Sequence, residues 1–267
     1  MSWNHTRGRS LMSKAGFCGL SPYGGASFAK KWTSVVPKEQ MFEPQSVDDR
    51  YNFGGASLNN CEQQTVMNSI LALRRGPIRY RRNAMIVCEG DPTDYILLIV
   101  KGVIRSCKTY RNGSRGIVAF HFSGELFGWS NDPIHSLSAE AAAETLVLFF
   151  KRSALLAAAL RDGRIATYLL ATTTNELRRV QEHSLLLSRL AECRVATFLM
   201  DLSTRMGNTN YLDLPMAHCD IASHLGLEIE TLSRSITALE KSGSIARVGG
   251  RRALFLRDRA SLERMSD

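Results

Sequence analysis

The residues best suited to chemistry at a macromolecular surface are Glu230, Ser233 and Arg234. Their spacing is i, i+3 and i+4, which places all three on one face of a helix. An arginine can bridge guanine O6 and N7, a glutamate can accept from cytosine N4, and a serine can meet several base edges. On the exposed N-terminal end of a helix, the three would form a short reader of the major groove. The competing local reading is a solvated Glu230–Arg234 ion pair, worth only about 0.3–0.5 kcal/mol. Thr231, Arg247 and Arg251 are of the types that meet phosphates, which orient a protein on a duplex without reading its sequence. Cys219 offers a different chemistry. Oxidation of its thiol to sulfinic or sulfonic acid would add negative charge where the preceding helix crosses the DNA backbone. The alternative is an inert small apolar residue.

Such residues need a scaffold, and the segment from Met216 to Gly243 has the pattern of a helix-turn-helix. Ala222 is small where two helices must approach. Gly226 follows where the turn favours a positive φ, and Leu232 plugs the junction from the second helix. Ile221, Leu225, Ile236 and Leu239 supply the shared core, and Gly243 closes the second helix. Residues 245–256, with Gly249-Gly250 at the corner, read as a β-hairpin wing. Upstream, a long helix is expected from about Ile165 to Ala191. Leu170, Leu177, Val180 and Leu187 form a coiled-coil-like seam along it, which points to dimerisation; the alternative is packing on its own domain. A further helix, about Ala191–Arg205, carries Val195, Phe198, Leu199 and Leu202 inward and stops at Gly207-Asn208.

Nearer the N-terminus, Met67, Ile70 and Leu71 mark a short helix. Apolar runs at 83–88, 95–100, 103–110 and 117–122, separated by Gly and Asn corners, with further strands after them ending at 145–150, then predict a small β-barrel or roll. Ser153–Leu160 suits a short helix after them. The chain therefore reads as α+β: a disordered extension over 1–57, a β-roll over 58–160, a dimerisation helix over 161–191, and a winged helix-turn-helix over 192–267.

Bulk properties agree. The chain has 267 residues, 44% hydrophobic and 22% charged, as expected of a soluble globular protein. No apolar run reaches the ~18 residues of a membrane span, and no secretory signal core is evident. The formal charge of +9 favours a polyanion, nucleic acid first and an anionic membrane surface second. Cys18, Cys61, Cys88, Cys107, Cys193 and Cys219 are dispersed, with no C-x-x-C pair, which fits reduced thiols in a cytoplasm.

Several stretches carry a family resemblance. Leu225-Gly226-Leu227 followed by Ile229–Arg234, together with Gly124–Gly128, Glu176–His183 and Leu214-Pro215-Met216, resembles the Crp/Fnr superfamily, in particular its FixK-like branch. The likeness runs from about Cys61 to the C-terminus. It implies a cyclic-nucleotide-binding-like β-roll, a long dimer helix and a winged helix. It also implies a homodimer on double-stranded DNA with TTGAT-like palindromic half-sites, read by Glu230, Ser233 and Arg234. The family role is activation of oxygen-limitation genes with RNA polymerase as partner.

The sensor motifs of the superfamily are absent. Cyclic-nucleotide members hold the ligand phosphate with an Arg-Ser pair after the Gly-Glu-Leu-Phe-Gly stretch. Here Trp129–Glu140 contains no arginine, and Glu140 would oppose the charge, so cAMP is not expected. An iron–sulfur cluster needs several closely spaced N-terminal thiolates, and Cys18 stands alone in the first sixty residues. No cofactor, metal or catalytic residue is assigned. Two alternatives stay open: an effector-gated regulator with a small ligand, or with haem on His121 or His135, and a cupin-like metalloenzyme, for which His121 and Glu125 are too few ligands. Control is otherwise expected upstream, through the amount of protein made.

Overall fold

The structure, a computed structural model, describes residues 60–249 and 252–266. The extension expected to be disordered, 1–57, and Arg251 lie outside the described residues. The first element, α1 (Asn60–Leu71), turns Val66, Met67 and Ile70 into the protein, the three-to-four spacing of an amphipathic helix.

Eight strands follow: β1 (Arg74–Tyr80), β2 (Met85–Val87), β3 (Tyr95–Lys101), β4 (Val103–Thr109), β5 (Arg115–Phe122), β6 (Leu126–Phe127), β7 (Ser138–Ala141) and β8 (Thr145–Lys151). They form two antiparallel sheets of four, ordered β1-β8-β3-β6 and β2-β7-β4-β5, which is the expected β-roll. β3 reads as a near-continuous apolar run because both of its faces are covered, and β4 is likewise buried from Val103 to Cys107 although it carries Arg105 and Ser106. Gly102 joins them at φ +94°, where a Cβ would stand 2.4 Å from the Glu144 carbonyl oxygen. No other residue fits that corner. β1 is an addition to the sequence-based expectation. Its Arg-rich sequence with Gly76-Pro77 carries no apolar run, and it survives as a strand because it lies at a sheet edge, where proline's missing N–H is tolerated.

Three helices continue the chain: α2 (Arg152–Arg161), α3 (Gly163–Leu186) and α4 (Ala191–Arg205). Asp162 caps α3, accepting from the Arg164 N–H at 3.0 Å. Ile165, Tyr168 and Leu169 of α3 join α1, α2, β3 and β8 in one apolar cluster. The long helix is shorter than its expected span to Ala191. It ends at Leu186, with Leu187 as C-cap, and the Ser188 and Arg189 N–H groups reach back only three residues, which tightens the last turn. The chain must redirect there to start α4, since Leu190 is extended at its N-cap. Leu187 therefore sits past the helix end. Leu170, Leu177 and Val180 remain on α3 and are 68%, 56% and 57% exposed.

The C-terminal part comprises α4, β9 (Tyr211–Asp213), α5 (His218–His224), α6 (Ile229–Lys241), β10 (Ile245–Arg247), β11 (Ala253–Leu256) and α7 (Arg259–Ser266). The wing strands pair as expected, Ile245 opposite Leu256, and β9 joins them in the order β10-β11-β9. The closing helix α7 is a second addition. It starts where Asp258 accepts from the Ser261 N–H at 2.9 Å, and it buries Leu262 completely. A second apolar cluster is continuous from β4 and β5 (Val103, Cys107, Ile117, Phe120, Phe122) through α4 (Phe198, Leu199, Leu202) into α5 and α6. The β-roll and the winged helix thus share a core.

Candidate nucleic-acid interface

Ile221 and Ala222 of α5 face Leu232, Ile236 and Leu239 of α6, all buried. The turn between them closes as a paired C-cap. Leu227 N–H donates to the Ala222 carbonyl at 2.9 Å and Gly226 N–H to the Ser223 carbonyl at 3.2 Å, with Gly226 at φ +61°. From α4, the Arg194 guanidinium donates to the carbonyls of Leu225 (3.0 Å) and Gly226 (3.2 Å), tying the turn to the helix behind it.

Burying one stripe of α6 leaves the opposite face outward. Glu230, Ser233 and Arg234 are all exposed there, and Thr231 is half-buried beside them. Among the described residues no ion pair joins Glu230 to Arg234; Arg234 instead reaches the Thr231 hydroxyl at 3.4 Å. The local ion-pair reading is thus not the arrangement adopted. Arg247, on the wing, pairs with Glu240 of α6 at 3.2 Å and donates to the Thr237 hydroxyl at 3.3 Å, while staying exposed. Cys219 is exposed in the first turn of α5.

What holds this face in place was not apparent from the sequence. Arg105, inside β4, is 6% exposed and uses all three guanidinium nitrogens. Nε and Nη2 donate to Glu140 of β7 at 3.1 and 2.7 Å, and Nη2 also to Asn83 at 2.9 Å. Nη1 donates to Asp220 of α5 at 2.5 Å. Arg115 adds a second contact to Glu140 at 2.5 Å. Next to them the Ile117 N–H of β5 donates to the Ser223 hydroxyl at 3.0 Å. The available signal was an arginine inside an apolar strand, since a buried charge must be paired. The partner that joins it to α5, Asp220, however, lies 115 residues away.

A second junction centres on Glu125, within the Gly124–Gly128 stretch. Arg205 of α4 grips its two carboxylate oxygens at 3.0 and 2.8 Å, donates to the Phe120 carbonyl at 2.6 Å and stacks over Phe122. Arg179 of α3 approaches the same carboxylate at 3.1 Å. Burial works to raise the Glu125 carboxyl, but Arg205 and then Arg179 outweigh it and hold it below the ordinary range. Beside this point His183 of α3 stacks on His224 of α5, ring centres 4.2 Å apart, and His224 meets Phe120 edge-on. Burial, then the neighbouring His183 and Arg205, push the His224 imidazole down to about 3.

The residues weighed as ligands inside the β-roll have structural partners. His121 is buried, with Nε2 at 3.2 Å from the Ser106 hydroxyl and its ring on Phe127. His135 is buried, and its carbonyl accepts from Gly90 N–H at 2.8 Å. Among the described residues, no group of three or more His, Cys, Asp or Glu is arranged to hold a metal ion. Glu140 departs from its expected role as a charge opposing a ligand phosphate. Arg105 and Arg115 take up its carboxylate at the contact with α5.

Comparison with known proteins gives two matching family models, a cyclic nucleotide-binding domain over residues 77–162 and a Crp-like helix-turn-helix domain over 193–265. The nitrogen fixation regulation protein FixK of Azorhizobium caulinodans is 41% identical over 202 residues, covering 73% of this chain and 81% of that protein. FixK of Rhizobium meliloti is 36% identical, covering 62% and 76%. Among solved structures, FixK2 from Bradyrhizobium japonicum superposes with a TM-score of 0.67 at 39% identity, covering 71% of this chain and 96% of that one.

Proposed function

The chain belongs to the FixK-like branch of the Crp/Fnr family, and from that premise we propose that it binds a palindrome with TTGAT-like half-sites as a homodimer and activates oxygen-limitation genes there. It is a DNA-binding transcription regulator of FixK/Fnr type. Its partners in this reading are double-stranded DNA, a second copy of the chain and RNA polymerase, in the cytoplasm, and its work is regulatory rather than enzymatic. No helix among the described residues is long and apolar enough to cross a membrane.

The observation that carries the reading is the outward face of α6. Glu230, Ser233 and Arg234 read base edges, with Arg234 forking onto a guanine. Thr231 and Arg247 meet phosphates, as does Arg251 by its place in the wing sequence; Arg247 would exchange Glu240 for a phosphate on binding. Residues 58–160 serve as a sensor-like body, 161–191 as the dimer helix and 192–267 as the reader. The exposed Leu170, Leu177 and Val180 support pairing of two α3 helices, since a row of apolar side chains in water marks an interface. The absence of an arginine between Trp129 and Glu140 argues against cAMP as effector. Cys219 is a redox-sensitive position in this reading, because its exposed thiol lies on the helix that crosses the backbone.

Salt-titrated binding to TTGAT-N4-ATCAA DNA against a scrambled duplex tests the function. Tight, salt-dependent preference for the palindrome is expected. Equal affinity for both duplexes would refute it.

A further inference from the structure

We infer that Arg105, Asp220 and Ser223, with the Glu125–Arg205 pair, are positioning residues that set the spacing between half-sites the dimer accepts. The inference rests on the palindrome reading above. Each α6 is carried by a winged helix that must be held at one angle relative to the β-roll and α3. Two half-sites sit about one helical turn apart, and adding one base pair moves the second by roughly 3.4 Å and turns it by about 35°. A dimer can reject the wrong spacing only if its two readers have less play than that.

The shared apolar core limits the play without selecting one angle, because burial of apolar surface is non-directional. The polar contacts are directional. Arg105 cannot swing, since Glu140 and Asn83 hold it from the β-roll side through Nε and Nη2. That leaves Nη1 aimed at Asp220, next to Cys219 on the first helix of the reader. One turn farther along α5, Ser223 takes the N–H of Ile117 on β5, the edge strand of its sheet. Arg205 fixes α4 to Glu125 through a two-point fork. Three anchors on two different helices define an orientation, which one anchor would leave free to pivot. A merely structural role would stabilise the fold without touching spacing, and buried ion pairs are often near-neutral for stability.

The test compares wild type with Asp220→Asn, Ser223→Ala and the apolar pair Arg105→Met/Asp220→Leu. Binding is measured to palindromes whose spacer runs from two to six base pairs, and hydrogen exchange is followed at residues 115–122 and 218–224 without DNA. Wild type is expected to favour one spacer by roughly tenfold or more, and the variants to narrow this to about two- or threefold while keeping base preference within each half-site. Exchange at the Ile117 amide should rise in step. Should Asp220→Asn fail to fold, Ser223→Ala and the apolar pair carry the measurement. An unchanged spacer ratio in any folded variant whose exchange has risen overturns the inference. Wild type that binds the palindrome without spacer preference overturns it too, yet leaves the palindrome reading standing. Wild type that ignores the palindrome altogether overturns that reading, and the inference with it.

Discussion

Arg234 is the residue whose removal should be most informative, because its guanidinium is exposed and its one described partner is a long 3.4 Å contact to Thr231. Arg234→Ala is expected to lose about 1–3 kcal/mol of discrimination at one guanine while leaving the fold intact. Competition among single-base variants of the half-site checks this; an unchanged preference would refute the base-reading role. Cys219→Ala should bind DNA like wild type and resist peroxide, whereas wild type loses binding after the same treatment. Equal loss in both proteins would assign the effect to another site. The exposed face of α6 was legible in the sequence because helical periodicity alone puts positions 230, 233 and 234 on one side. Arg105, Asp220, Ser223 and Arg205 were not. Each was visible as a polar residue within a predicted element, but what it contacts depends on how two separately readable units dock, and no local pattern encodes that.

Among the elements, those with a clear apolar period were legible and those without one were not. β3, β4, β5 and β8, α4, both helices of the helix-turn-helix and the wing match their runs. β1 and α7 were missed, the first because its arginines hide an edge strand, the second because a single buried leucine gives no stripe. The end of α3 was misplaced because Leu187 continues the heptad spacing while the backbone turns away beneath it. The seam itself makes a prediction: Leu177→Asp with Val180→Asp should leave the subunit folded, since both sites are exposed, but yield monomers in sedimentation and abolish tight palindrome binding. The junction of α3, α5 and β5 makes another. His224 is held neutral in the folded state, far below the ordinary histidine value. As pH falls from about 6.5 towards 3 the unfolded chain gains a proton that the folded one refuses, so stability is full above that window and declines through it. Thermal melting from pH 7.5 to 5, above the carboxylate range, should show this decline, and His224→Phe should lessen it, leaving the share of His121, His135 and His183, whose imidazoles burial also pushes down. An identical slope in that variant would place the effect elsewhere.

At the scale of the whole molecule, the charge of +9 predicts binding that weakens steeply with salt. Arg247→Ala should lower the slope of log affinity against log salt by about one without altering the preferred sequence. Saturating cAMP should leave the melting temperature unchanged, since a ligand stabilises only a state that it binds. A clear upward shift would return the β-roll to the ligand-gated class.

The apolar cluster that runs from Val103 and Phe120 through Phe198 into Ile221 and Leu232 has one more consequence. A winged helix cut out at residue 192 would carry one wall of that core into water, together with an Asp220 that has lost Arg105 and an Arg205 that has lost Glu125. It should be sticky and loosely folded when expressed alone, and grafting it onto a different sensor should fail unless the matching face of β4 and β5 is grafted too. In the intact chain the same continuity should make the β-roll and the winged helix melt in a single transition, so that destabilisation anywhere along it is felt by both.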